Sequence, residues 1–125
     1  MDESVQEIVL ENGLQIVTKH NPYALSVSAG VFVKASLAEE NSKENGIAHF
    51  LEHMSFKGTE NYSAKKIAQT MDAMGGVMNA HTTKEYTAYF ITVLPDKLFK
   101  GLDILAEIFL RSTLKEPDID LERQV

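Results

Sequence analysis

Two histidines and a glutamate stand within five residues, in the run His49-Phe50-Leu51-Glu52-His53. On an α-helix, positions i, i+3 and i+4 share one face, so His49 and His53 can offer imidazole nitrogens to a single ion with Glu52 beside it. This spacing suits zinc. A catalytic zinc takes two or three protein ligands and keeps a position open for water, and a neighbouring carboxylate accepts the proton as that water attacks a carbonyl. His49 and His53 are therefore candidate metal ligands, and Glu52 is the candidate general base. A lone helical histidine is more often a surface or core residue. Three groups in register favour ligation over that reading. The sequence contains no cysteine, which excludes a disulfide framework, a thiolate zinc finger and a thiol nucleophile. Any metal site must be built from His, Asp and Glu.

The elements that would position these groups follow from local pattern. Ile8-Val9-Leu10 and Leu14-Gln15-Ile16-Val17-Thr18 flank Asn12-Gly13 and read as a β-hairpin. After Pro22, Val27, Ala29, Val31 and Val33 alternate with Ser26, Ser28, Gly30 and Phe32, which reads as a central strand. A polar, turn-forming stretch from Glu39 to Gly46 leads into a short helix over Ile47 to Phe56, with Ile47, Phe50, Leu51 and Met54 at helical spacing. Phe50 and Leu51 are expected in the core. Ser63 is placed to cap a second helix striped by Ile67, Thr70, Met71 and Met74, and Gly75-Gly76 stops it. Met78, like Met71 and Met74, reads as core. Val77 to Thr82 and Tyr86 to Val93 are β-branched and aromatic, and read as two strands. Pro95 starts a long helix with Leu98, Leu102, Leu105, Ile108 and Phe109 on one face, ending near Arg111. A last helix opens at Glu116-Pro117-Asp118 and is expected to continue to the end of the sequence. The fold class is α+β, a mostly antiparallel sheet with the long helices on one face and the His49–His53 helix at its edge.

The His-x-x-Glu-His order inverts the commoner His-Glu-x-x-His and is the inverzincin pattern. Gly46-Ile47-Ala48-His49-Phe50-Leu51-Glu52-His53-Met54-Ser55-Phe56-Lys57-Gly58-Thr59 resembles the signature of the pitrilysin, insulinase and mitochondrial processing peptidase family of zinc metallopeptidases. Gly75-Gly76-Val77-Met78-Asn79-Ala80-His81-Thr82 and Thr87-Ala88-Tyr89 are similar to a second segment of that family, and the Leu10 to Leu14 hairpin also fits. The resemblance covers nearly the whole chain and favours the shorter bacterial or mitochondrial branch. It implies the processing-peptidase fold and a zinc-dependent endopeptidase acting on peptides or extended polypeptides, with His49 and His53 as zinc ligands and Glu52 as base. It matches Glu122 to an acidic residue that supports the site from the following helix. It matches Asn79, Ala80, His81 and Thr82 to an edge strand that receives substrate as an added β-strand. The family's third zinc ligand, a glutamate two helical turns beyond Glu122, would fall about four residues after Val125. The 125 residues thus correspond to the N-terminal portion of a peptidase domain, short of the third ligand. Alone, the segment is expected to bind zinc weakly and to be inactive, and a homologous second domain or subunit is expected to complete the site. The competing reading is a catalytically inactive fragment or structural subunit of a peptidase assembly. An S-ribosylhomocysteine lyase, which shares the fold, would need a cysteine.

Composition is that of one globular unit, with 44% hydrophobic and 24% charged residues. A net charge of −6, with no basic cluster beyond Lys65-Lys66, argues against a nucleic-acid partner. No apolar run approaches the length a bilayer requires, and the acidic start Met1-Asp2-Glu3 is unlike a secretory signal. The expected location is the bacterial cytoplasm, with the mitochondrial matrix as the alternative. Glu39, Glu40 and Glu44 read as a solvated acidic loop that would favour basic peptides. His20, beside Asn21-Pro22, reads as a turn residue.

Overall fold

The computed structural model describes residues 4–34 and 46–124. Strands β1 (Val5–Val9) and β2 (Gln15–Lys19) form an antiparallel hairpin. Its loop closes because Gly13 takes a φ of 88°, where a side chain is disfavoured, while Asn12 Oδ1 accepts the Leu14 N–H at 3.0 Å. Strands β3 (Val27–Val33), β4 (Val77–Thr82) and β5 (Thr87–Val93) make a second, fully antiparallel sheet in the order β3-β5-β4. The central strand is therefore β5, and β3 is an edge among the described residues, contrary to the sequence expectation. The two strands differ in burial. β3 alternates half-buried and exposed, whereas every residue of β5, which is paired on both sides, is buried or half-buried.

Among the described residues four α-helices accompany the sheet: α1 (Ile47–Ser55), α2 (Ala64–Ala73), α3 (Leu98–Leu110, entered through a 3-10 turn at Pro95–Lys97) and α4 (Glu116–Glu122). α2 begins as expected, with Ser63 Oγ accepting the Lys66 N–H at 3.1 Å. It ends in a Schellman turn, where Gly75 and Gly76 donate to Asp72 and Met71 carbonyls. Ile67 and Met71 of α2 with its C-cap Met74, Tyr89, Ile91 and Val93 of β5, and Ile104, Leu105 and Ile108 of α3 form the core between one sheet face and the helices, with Met78 packed against it. The α+β architecture with helices on one face is thus observed.

The contact face of α3 is rotated from the expected one. Gly101 lets the helix approach β5 so closely that a Cβ there would lie 2.6 Å from Ile91 Cδ1. Gly101, Ile104, Leu105 and Ile108 consequently face the sheet, and Leu102 and Phe109 are left exposed. On α1 the buried residues are Ala48, Met54 and Ser55; Phe50 is half-buried, and Ile47 and Leu51 are exposed, so Leu51 is not core. α4 is described over Glu116–Glu122, with Arg123 still in the right-handed helical region and the Arg123 N–H bonded to the Ile119 carbonyl at 3.0 Å. Of the polar loop expected before α1, residues 39–45 lie outside the described residues.

Candidate metal centre

α1 lies against the edge strand β4 and against α4. Its start is formed by Gly46 in the left-handed region, whose carbonyl accepts the Phe50 N–H at 2.9 Å. Nine helical residues place Met54, wholly buried, on the inner face and the two histidines one turn apart on the outer face. The His49 and His53 Nε2 atoms are 2.9 Å apart. Two imidazole lone pairs do not face one another at that distance without a proton or a cation between them. Around a tetrahedral zinc with bonds of about 2.0–2.1 Å, two nitrogens would sit roughly 3.3 Å apart, so a small ring rotation admits the ion. The ligand atoms of His49, Glu52 and His53 all lie within 4.8 Å of one another. The donor set therefore fits a zinc ion.

His53 uses its other nitrogen. Nδ1 donates to Glu122 Oε1 at 2.7 Å, which selects the tautomer with Nε2 free as an acceptor. Lys57 Nζ lies 3.4 Å from the second Glu122 oxygen. The hydrogen bond from His53, with Lys57 adding a further one and its charge, holds the Glu122 carboxyl below the usual carboxylate range against its partial burial. Glu122 is thereby occupied in orienting His53 from α4. Lys57 was not singled out by sequence reasoning, although its position four residues after His53 is a usable signal.

Glu52 is half-buried, and one of its oxygens, Oε2, accepts the Thr82 hydroxyl at 2.5 Å. Thr87 Oγ1 lies 3.5 Å behind that hydroxyl, so β5, β4 and α1 are joined at the base. The remaining residues of the expected substrate strand separate by alternation. Ala80 turns with Thr82 towards the helices and packs against the core. Asn79 and His81 face the other way. Asn79 Oδ1 accepts the Ala80 N–H at 2.8 Å, and the His81 ring packs edge-on against Tyr86 and Phe90. The four residues thus do not form one side-chain cluster; what they share is the outer strand of the sheet, next to α1.

Comparison with known proteins agrees with this geometry. The model of the insulinase family, peptidase family M16, matches residues 15–125. The chain is 42% identical over 121 residues to the uncharacterized zinc protease YmxG of Bacillus subtilis, covering 97% of this chain and 30% of that protein. It is 42% identical over 116 residues to the mitochondrial-processing peptidase subunit beta of Saccharomyces cerevisiae, covering 93% of this chain and 25% of the relative. A solved structure of a protease from Helicobacter pylori superposes with a TM-score of 0.89 at 35% identity, over 96% of this chain and 29% of that one. The chain therefore spans less than a third of the length of the relatives it matches.

Proposed function

The chain belongs to the insulinase family of peptidases, family M16, and from that premise we propose that it is the first part of a zinc-dependent endopeptidase domain in which His49 and His53 hold the ion. When bound, zinc polarises a carbonyl and acidifies water. Glu52 is the proton acceptor in peptide-bond hydrolysis. The observation that carries this reading is the meeting of the two Nε2 atoms beside a carboxylate whose second oxygen is left available by Thr82.

The outer edge of β4 is the proposed docking line for an extended polypeptide, which would add as a further strand with Asn79, Ala80, His81 and Thr82 along it. Two imidazoles are one ligand short of the usual catalytic set of three. Glu122 is engaged with His53 and Lys57, so its proposed role is to support His53. The third ligand is assigned to a carboxylate further along the polypeptide, and a homologous domain or subunit is assigned to close the chamber. The length of the relatives supports both assignments. No helix among the described residues is long and apolar enough to cross a membrane.

The test is Glu52→Gln in the full-length polypeptide. Zinc content is expected to stay at the wild-type level while peptide hydrolysis falls by about 10²–10⁴-fold. A variant that retains wild-type turnover would overturn the role of Glu52.

A further inference from the structure

Glu107 is a carboxylate the hydrolytic mechanism does not use, yet it is only 3% exposed in the interior face of α3. Burying a charge is costly unless its oxygens are fully hydrogen-bonded. Here they are. Thr59 Oγ1 donates to Oε2 at 2.7 Å, Asn61 Nδ2 donates to Oε1 at 2.7 Å, and Arg111 Nη1 donates to Oε1 at 2.7 Å. These donors hold the carboxyl below its usual range, the Asn61 and Thr59 hydrogen bonds being the largest causes.

The partners are not scattered. Thr59 and Asn61 lie on the loop that leaves α1, and Arg111 caps α3 at the start of the segment that leads into α4. Around the carboxylate these two stretches are laced by backbone bonds, Glu60 N–H to the Arg111 carbonyl at 3.0 Å and Thr113 N–H to the Gly58 carbonyl at 3.2 Å. Ser112 Oγ adds a bond to the Ser55 carbonyl at 3.2 Å, on the last residue of α1. Beyond these two stretches α1 and α4 themselves pack together, and there His53 of α1 bonds Glu122 of α4.

We propose that Glu107 is a positioning residue of the metal centre, fixing the exit of α1 against the entry to α4 so that Glu122 reaches the His53 ring. Its action is indirect, since it touches neither histidine. An apolar residue at 107 would pack in the same space but would leave Thr59, Asn61 and Arg111 without the acceptor that sets their spacing. The inference rests on the metal-centre reading above and adds to it a residue 54 positions away in sequence from His53.

The experiment compares wild type, Glu107→Gln, Thr59→Val and Ile104→Val in the full-length polypeptide, where the assigned third ligand is present. Ile104→Val is a stability control, because it thins the core beneath the same helix without touching the network. Three readouts are taken: melting temperature, Co2+ affinity with its visible spectrum, and the 1H–15N signal of the His53 Nδ1–H. Glu107→Gln is expected to lower Co2+ affinity about 10–100-fold, to alter the ligand-field bands, and to expose the Nδ1 proton to fast exchange. Thr59→Val should move all three in the same direction by less. Ile104→Val should lower the melting temperature and leave affinity and the Nδ1 signal unchanged. If Glu107→Gln loses only melting temperature, or if Ile104→Val loses as much affinity at equal stability, the positioning role is wrong and Glu107 is a structural clamp alone. A full-length wild-type polypeptide that takes up no Co2+ or Zn2+ overturns the metal-centre reading itself, an outcome distinguishable from the other two.

Discussion

His53 divides its ring between two tasks, with Nε2 turned to His49 and Nδ1 bound to Glu122. Removing the second partner should therefore damage the first. Glu122→Ala leaves the ring free to rotate and to change tautomer, and zinc affinity is expected to fall about 10–100-fold. Glu122→Gln keeps an oxygen acceptor but not the charge, and should lose less. Competition with a chromophoric chelator orders the three proteins, and equal affinities would contradict the orienting role. The pair His49 and His53 with Glu52 was readable in the sequence because 3.6 residues per turn brings those positions together within one element. The bond to Glu122 spans 69 residues, and local periodicity carries no information about it; family resemblance supplied the residue. Thr82 was singled out for the substrate strand, and the further bond of its hydroxyl to Glu52 was not foreseen. A strand pattern gives the face of a residue but not what lies across from it.

At the scale of elements, signals confined to a few residues were legible. Asn12-Gly13 gave the hairpin, Ser63 the start of α2 and Gly75-Gly76 its end, since each acts through backbone bonds to near neighbours. The central strand was not legible, because whether β3 or β5 is flanked on both sides depends on pairing across some sixty residues. The face of α3 was misjudged for a related reason: the apolar residues cover more than one stripe, and the close approach at Gly101 decides which stripe is buried. The Glu107 clamp between α3 and the loop after α1 gives this level a pH dependence. Its folded carboxyl titrates below the ordinary glutamate range, so its stabilisation is complete above about pH 4.3 and is lost as pH falls through the lowered folded value. Melting temperature should drop on acidification through that window, and Glu107→Gln should shrink the drop without abolishing it, because Glu122 titrates in the same sense. A Glu107→Gln acid profile superimposable on wild type would rule this out.

For the molecule as a whole, stability is distributed unevenly. The β1–β2 hairpin stands apart from the three-stranded sheet, and every residue from Gln6 to Lys19 is exposed, including Ile8, Val9, Ile16 and Val17. A two-stranded ribbon without a covered face is marginally stable in water. Amides of β1 and β2 are therefore expected to exchange with deuterium at least about 100-fold faster than those of β5, whose strand is paired on both sides. Uniform protection across the five strands would show that the hairpin is held by contacts stronger than these. The exposed apolar residues of the hairpin are compatible with the shortness of the chain relative to the proteins it resembles.

Met54 joins the inner side of α1 to the interior, and none of its surface reaches solvent. Its thioether is the most oxidisable group on α1, and a sulfoxide there would set a polar S=O into an apolar site one residue from His53. Peroxide can reach that sulfur only while α1 is lifted from the molecule. Oxidation of Met54 is thus gated by the opening of this short helix, and an ion joining the two histidines would staple one turn of α1 and slow the unwinding that exposes the methionine beneath them.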